Sequence, residues 1–102
     1  MSDPLVRVVV LTFDGGQMTI DCLDSLLATD WPADKLEIVL VDNGSLDNVA
    51  ERVGADYPQV RLREPFDNLG FAGGCSLGMR LPGDHEFTAL VNNDATVDRN
   101  WL

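Results

Sequence analysis

The chain has few basic residues and a single lysine, Lys35. Seven lysine and arginine residues stand against 17 aspartates and glutamates in 102 residues, so the formal net charge is -10. Nucleic-acid phosphates need a basic partner surface, and this balance therefore argues against a nucleic-acid-binding protein. An acidic charge of this kind favours solubility and does not indicate a fold.

Long apolar runs, an export signal and a disulfide framework are also missing from the sequence. No segment approaches the roughly 20 apolar residues of a membrane-spanning helix, and the amino terminus lacks the basic start of a signal peptide. Two cysteines, Cys22 and Cys75, are too few for a disulfide scaffold. We therefore predict a reduced, cytoplasmic protein without a membrane span, built as one domain over residues 1–102.

Four segments rich in β-branched and apolar residues are typical of strands. Val6–Phe13 and Glu37–Asp42 are apolar almost throughout, which indicates strands covered on both faces, as in a parallel sheet. Val60–Glu64 alternates between apolar and charged residues and is therefore predicted as an edge strand. A fourth run, Phe87–Val91, leads into Asn92.

The segments between these strands have helical patterns. Met18–Ala28 places its aliphatic side chains on one face. Ser45–Tyr57 begins at a serine or aspartate N-cap and ends before Pro58. Phe71–Leu81 is rich in glycine, so a helix there needs close packing. The order βαβαβαβ predicts an α/β, Rossmann-like fold with three αβα layers and a mostly parallel sheet of strand order 3-2-1-4.

This topology also predicts where the helices and a ligand site lie. Right-handed crossovers place the first two helices on one face of the sheet and the third on the other. Cys22 and Cys75 then lie on opposite faces and cannot form a disulfide bond. Because the strand order reverses beside the first strand, a ligand crevice is expected at the carboxyl ends of strands one and four.

An aspartate stands at or just beyond the end of three predicted strands: Asp14, Asp42 and Asp94. Each one alone is explained as a turn or helix-capping residue. At one edge of a parallel sheet, the three together indicate a shared site. Asn92 adds an amide oxygen beside Asp94, and this pair either binds a divalent cation or forms the hydrogen-bonding rim of a ligand pocket.

The segment from Asp67 to Gly74 is a second candidate element because of its glycines. They either form a tight turn or allow a flat ring or a ribose to approach the backbone. Neither a dinucleotide G-x-G-x-x-G fingerprint nor a G-x-x-x-x-G-K-[ST] phosphate loop occurs in the sequence. A phosphorylated ligand would therefore need a metal ion to neutralise its charge.

Taken together, these motifs resemble the amino-terminal half of family-2 glycosyltransferases, which have the GT-A fold. The sequences of the motifs are most similar to those of bacterial rhamnosyltransferase-type members. The resemblance extends from Val6 to Leu102. It is carried by four segments in order: Val8–Asp14, Val39–Ser45, Asn68–Gly74 and Leu90–Asp94.

The resemblance implies transfer of a sugar from a nucleotide diphosphate sugar to an acceptor hydroxyl with inversion, as in cell-wall or polysaccharide biosynthesis. It implies a Mg²⁺ or Mn²⁺ ion at Asp94 and Asn92, which stabilises charge on the departing diphosphate. In this family Asp42 would accept a hydrogen bond from the base. The implied donor-binding residues are Thr12, Phe13, Asp14, Asp42, Asn43, Asn68, Gly70, Asn92 and Asn93.

Two features depart from the family pattern. Asn92 replaces an aspartate, which removes one charged metal ligand, and no general base is identifiable. The family's base and its saccharide or lipid-linked acceptor site lie in a second half. We therefore expect an inactive donor-binding half that can form a homodimer through its sheet edge, from a cytoplasmic protein that can sit at the inner membrane face.

Two other functions remain open at the level of the sequence. A flavodoxin-like signalling or binding module would combine an acidic metal pocket with a phospho-accepting aspartate. Such a module needs a lysine at a later strand end, and Lys35 does not stand there. A scaffold that contacts a partner through the same fold is the third alternative, because a fold alone does not determine a function.

Overall fold

The computed structural model describes residues 3–65 and 69–102 of the chain. Within these residues one sheet is formed by β1 (Val6–Thr12), β2 (Leu36–Asp42), β3 (Val60–Arg63) and β4 (Phe87–Asn92). The helices that connect the strands are α1 (Gly16–Leu27), α2 (Val49–Asp56) and α3 (Gly70–Arg80). A single 3-10 turn, Ala33–Lys35, precedes β2.

The strands lie in the order β3-β2-β1-β4, and each neighbouring pair is parallel. The predicted order and the α/β class are therefore confirmed. Thr12 of β1 is in register with Asp42 of β2, and Leu11 is in register with Asn92 of β4. The carboxyl ends of these three strands thus meet at one edge of the sheet.

The larger part of the core lies between the sheet and the first two helices. Alternate strand residues point to this face because successive side chains of a strand lie on opposite sides of the sheet. The fully buried side chains of this layer include Val8, Val10, Leu40, Leu23, Leu26 and Val53. Val97 and Trp101, from the segment after β4, pack against the same cluster.

Helix α3 covers the opposite face and lies close to the strands. Its side chains Leu77 and Leu81 pack against Val9, Val39 and Val41. The helix approaches closely where it has no side chains: a Cβ atom added at position 78 would lie 2.5 Å from Cγ1 of Val9. The glycine-rich segment is therefore a helix held by close packing, as predicted. Cys22 and Cys75 are on opposite faces, buried and free.

A buried arginine fixes the carboxyl end of α3 to the sheet. The side chain of Arg7 is fully buried, and its Nε donates to Oε2 of Glu37 at 3.1 Å. Its other nitrogens donate to backbone carbonyls at the end of the helix, those of Gly78, Met79, Leu81 and Pro82. A cation at a helix carboxyl terminus satisfies free carbonyls and complements the helix dipole.

Candidate functional site

A cavity of about 330 Å³ opens at the carboxyl edge of the sheet, between β1, β4 and α3. It lies beside β1, where the strand order reverses and where the topology predicts a ligand crevice. Its apolar side is formed by residues that include Leu11, Phe13, Phe71, Cys75 and Leu90. Phe13 and Phe71 are 56% and 65% exposed. Large exposed apolar side chains around a concave site indicate a binding surface.

Asn92 and Asp94 border the polar side of this cavity. Asn92 is the last residue of β4, and both residues are exposed. Among the described residues, no group of three or more His, Cys, Asp or Glu side chains is arranged to hold a metal ion. The pair therefore fits a cation that also takes oxygens from a phosphorylated ligand and from water, as Mg²⁺ commonly does.

Asn93, between these two residues, is turned towards α1. Its Nδ2 donates to Oγ1 of Thr19 at 3.2 Å and lies 3.4 Å from Oγ1 of Thr12. The two threonine hydroxyls are 2.8 Å apart and buried. Thr12 and Asn93, both predicted as donor-binding residues, thus hydrogen-bond to α1 and to each other, although Asn93 also borders the cavity.

Asp14 links the loop after β1 to the loop after β2. Its backbone is in the left-handed region, with φ at 53°. Its Oδ1 accepts hydrogen bonds from the backbone nitrogens of Leu46 at 2.6 Å and Asp47 at 3.2 Å. Its own backbone nitrogen donates to Oγ of Ser45 at 2.7 Å. One oxygen of the predicted nucleotide-contacting carboxylate is therefore engaged by the protein.

The helix α2 begins at Val49 and not at Ser45 as predicted. The backbone nitrogens of residues 46 and 47 donate to Asp14, which ties the segment before the helix to the loop after β1. Asp47 accepts from the backbone nitrogen of Gly16 at 3.0 Å and from that of Val49 at 3.2 Å. The four residues before α2 form a connection between two loops.

Asp42 and Asn43 are buried at the end of β2, 5% and 3% exposed. Oδ1 of Asp42 accepts from the backbone nitrogen of Ser45 at 2.9 Å. Asn43 donates to the carbonyl of Gly70 at 3.0 Å and accepts from the nitrogen of Leu69 at 2.8 Å, so it connects β2 to the start of α3. The structure thus places Asp14, Asp42 and Asn43 at the sheet edge that carries the cavity, with contacts to neighbouring loops.

The other predicted site residues either shape the backbone near the cavity, border the cavity or lie outside the described residues. Gly70 has φ at 72°, a left-handed conformation that favours glycine, at the first residue of α3. Asn68, also predicted as a donor-binding residue, lies outside the described residues. The predicted residues that border the cavity are Phe13, Asn92, Asn93 and Asp94.

A set of contacts between α1 and the segment after β4 was not predicted from the sequence. The thiol of Cys22 donates to the carbonyl of Asn92 at 3.5 Å. Burial and, to a smaller extent, the negative charge of Asp94 together raise the pKa of Cys22 to about 11. The signal was present in the sequence: small polar residues at 19, 22 and 25 recur at helical spacing and share one side of the helix.

The chain matches the profile of Glycosyl transferase family 2 over residues 7–102. It belongs to this family. Apart from Val6 at the start of β1, the match includes every described strand and helix, and it confirms the family predicted from the motifs. Among the described helices of this family-2 chain, none has both the length and the apolar character needed to span a membrane.

Curated relatives of this family-2 chain are much longer than it is. It is 29% identical over 101 residues to the glycosyltransferase GlyG of Streptococcus pneumoniae serotype 4, which covers 96% of this chain and 33% of GlyG. It is 28% identical over 95 residues to the uncharacterized glycosyltransferase YibD of Escherichia coli K12, covering 90% of this chain and 26% of YibD. The family-2 chain therefore spans between a quarter and a third of these relatives.

Solved structures share the fold. The mannosyltransferase PcManGT from Pyrobaculum calidifontis, in complex with GDP-Man and Mn²⁺, matches with a TM-score of 0.82 at 28% identity, over 97% of this chain and 30% of that one. S. aureus TarS 1-349, in complex with UDP-GlcNAc, matches with a TM-score of 0.80 at 24% identity, over 97% of this chain and 28% of that one. The predicted GT-A architecture is confirmed for the family-2 chain.

Proposed function

We propose that this chain is the donor-binding portion of an inverting glycosyltransferase that uses a nucleotide diphosphate sugar and a divalent cation. The observation that carries the proposal is the position of Asn92 and Asp94 on a cavity flanked by Phe13 and Phe71, in a chain of Glycosyl transferase family 2. A relative solved with GDP-Man and Mn²⁺ supports both the donor class and the cation.

Charge explains why a cation is needed. The formal net charge of -10 repels a diphosphate. The single lysine, Lys35, lies in the turn before β2, at the opposite edge of the sheet from the cavity. We assign Asp94 and Asn92 as the ligands of Mg²⁺ or Mn²⁺. When bound, the ion would neutralise the charge that develops on the leaving diphosphate.

The chain's own residues would orient the nucleotide. Phe13 and Phe71 offer exposed aromatic faces on which a base or sugar ring can pack. One oxygen of Asp42 is used by Ser45, and we assign the second to an N–H group of the base. We keep Thr12, Asp14, Asn43, Asn68, Gly70 and Asn93 in the proposed donor site, as contacts or as residues that hold its loops.

The acceptor side of the reaction is proposed from the length of the relatives. Because the chain spans 33% of GlyG, we propose that the general base and the saccharide or lipid-linked acceptor site belong to residues outside these 102. The chain alone would then bind donor without turnover. We keep a cytoplasmic location, including the inner membrane face, as a proposal for the longer protein.

A second copy is a further proposed partner. The strand β4 pairs with β1 and ends the strand order, so its outer edge is open within the described part of the chain. Leu90 on this strand is 51% exposed. An open edge with an apolar side chain favours pairing with another strand. No observation on the described residues favours the flavodoxin-like or scaffold alternatives.

Thermal unfolding with UDP and with GDP, each with and without Mn²⁺, tests the proposal. A ligand at 100 times its dissociation constant stabilises a protein by about 2.7 kcal/mol, which for a domain of this size raises the melting temperature by about 10–20 °C. Asp94→Ala should lose the Mn²⁺-dependent part of the shift. The matched control is Asp56→Ala, which removes an exposed carboxylate at the end of α2.

Two results would contradict the proposal. A folded sample whose melting temperature is unchanged by millimolar UDP and GDP, with Mn²⁺ present, would remove the donor site. An Asp94→Ala protein that keeps the full Mn²⁺-dependent shift would remove the assigned cation ligand and leave only the nucleotide site.

A further inference from the structure

One side of α1 carries small polar residues that contact the segment after β4. We call the set Thr19, Cys22, Ser25 and Thr29 the α1 stripe; Thr29 lies just beyond the end of the helix. Thr19 accepts from the amide of Asn93 at 3.2 Å, and Cys22 donates to the carbonyl of Asn92 at 3.5 Å. Ser25 accepts from the backbone nitrogen of Val97 at 3.1 Å, and Thr29 accepts from Nε1 of Trp101 at 2.8 Å. The stripe thus follows residues 92–101 from end to end.

The amino-terminal end of the stripe is tightly packed. Thr19 is fully buried. A Cβ atom added at Gly15 would lie 2.2 Å from Oγ1 of Thr19 and 2.3 Å from Nδ2 of Asn93. Separations under about 3 Å do not occur at real Cβ atoms. The Asn93 amide therefore reaches the threonine hydroxyls only because residue 15 has no side chain.

Asp94 has no comparable support of its own. Within the described residues its carboxylate has no hydrogen-bond or ion-pair partner, and the residue is exposed. Its position is therefore set by its neighbours. The carbonyl of Asn92 is held by Cys22, the side chain of Asn93 by Thr19, and the backbone of Val97 by Ser25.

We propose that the α1 stripe positions Asn92 and Asp94 for cation binding, so that Thr19, Cys22 and Ser25 are positioning residues of the donor site. This inference rests on the proposed function, because it assigns a cation to that pair. Residues that hold a metal ligand in place contribute to affinity although they do not touch the metal. The bonds of Cys22 and Thr19 to the residues around the ligands are the physical basis of this coupling.

A purely structural role would have different consequences. If the stripe only attached residues 95–101 to the core, its loss would lower stability, and the affinities for all ligands would fall by one common factor, the folded fraction of the protein. If it positions the ligand pair, its loss should weaken Mn²⁺ binding selectively. The affinity for nucleotide without metal should then change little.

The test compares Mn²⁺ affinity, by electron paramagnetic resonance titration with UDP present, with the affinity for UDP alone, by calorimetry. Thr19→Val keeps the shape of the side chain and removes the hydroxyl that accepts from Asn93. We expect Mn²⁺ affinity to fall about 10- to 100-fold, with UDP affinity within about twofold of that of the unmodified chain. Thr19→Ser keeps a hydroxyl and should restore Mn²⁺ binding.

A second pair of variants approaches the same contacts from the opposite loop. Gly15→Ala should displace the Asn93 amide and reduce Mn²⁺ affinity in the same way. Gly54→Ala is the matched control, since a Cβ atom there would meet nothing within 4 Å. If Thr19→Val does not fold, Ser25→Ala gives the same comparison at the half-buried middle of the stripe.

The outcomes separate this inference from the proposed function. Failure of the unmodified chain to bind either UDP or GDP with Mn²⁺ would overturn both. If the unmodified chain binds both but folded Thr19→Val or Ser25→Ala keeps full Mn²⁺ affinity, the positioning role is wrong and the proposed function stands. An equal loss of Mn²⁺ and UDP affinity would assign the stripe to structure alone.

Discussion

Replacing Arg7 with methionine should destabilise the fold through the carboxyl end of α3. The change keeps a long apolar side chain and removes a fully buried charge. The backbone carbonyls at the end of the helix lose their donor, and so does Oε2 of Glu37. Glu37 keeps its contact with Arg61 at 2.6 Å, so the carboxylate is left with one arginine and not two.

The structure sets the magnitude of this effect. Removing one partner of a buried ion pair costs about 3–5 kcal/mol. The expected value is lower here, about 2–4 kcal/mol, because Glu37 stays partly exposed and paired and water can reach some of the carbonyls. A domain of this size is stable by about 5–15 kcal/mol. Arg7→Met should therefore remove a large share of the free energy of unfolding.

Urea unfolding followed by tryptophan fluorescence measures the change. With a slope of about 1.5 kcal/mol per molar urea, the midpoint should fall by about 1.3–2.7 M. Arg80→Met is the matched control, because Arg80 is the exposed basic residue in the last turn of the same helix. Its effect should stay within about 0.5 kcal/mol.

The pH dependence isolates the part that belongs to Glu37. Burial raises the pKa of Glu37, but hydrogen bonds from Arg7 and Arg61, together with their charges, outweigh burial and leave the pKa below its ordinary value of 4.5. A lowered pKa in the folded state gives stability that is present above pH 4.5 and is lost as the pH falls through the folded value. The difference between Arg7→Met and the unmodified protein should shrink in that acidic range.

An unchanged urea midpoint for Arg7→Met at pH 7 would refute the anchoring role of the arginine. A free-energy difference that stays constant from pH 7 to pH 3 would refute the part assigned to Glu37. In that case the carbonyl contacts of Arg7 would carry the whole effect.

Two further predictions concern packing on the two faces of the sheet. Burial raises the pKa of both Cys22 and Cys75. With a pKa of about 11 for Cys22, only about one such thiol in a thousand is ionised at pH 8. The folded protein should therefore react slowly with a thiol reagent, whereas the denatured, unreduced monomer should show two reactive thiols. Fewer than two would contradict their positions on opposite faces. Gly78→Ala should destabilise the protein by about 1–3 kcal/mol in urea unfolding, because its Cβ would meet Val9, whereas Gly54→Ala should not; equal midpoints would contradict the close approach of α3.

The fold could be predicted because its signals are local and repeated. The continuous apolar runs of β1 and β2 indicate strands buried on both faces, and the helical patterns between strands require parallel crossovers. The start of α2 could not be predicted in this way. Ser45 has the chemistry of an N-cap, but its hydroxyl accepts from the backbone nitrogen of Asp14, 31 positions away, and no local pattern carries that contact.

The candidate site was predicted in part for the same reason. Strand ends meet at one edge of a parallel sheet, so the sequence could place Asp14, Asp42 and Asp94 along one rim. It could not show that Asp14 and Asp42 are engaged by neighbouring loops, since those bonds depend on how two loops face each other. The contacts of the α1 stripe were missed because the pattern of α1 does not show which segment of the chain lies opposite it.

The end of β4 and the turn that follows it explain the different contacts of Asn92, Asn93 and Asp94. Asn92 is the last residue of the strand, and residues 93 and 94 lie in a turn in which the backbone nitrogen of Ala95 donates to the carbonyl of Asn92 at 3.0 Å. All three residues border the cavity, but only the Asn93 amide also reaches Thr19 of α1. The exposed side chains of Asn92 and Asp94 are therefore left for a ligand, and the residue between them attaches the turn to α1. A polar side chain at that position can hold the turn in place because α1 offers a hydroxyl opposite it, that of Thr19.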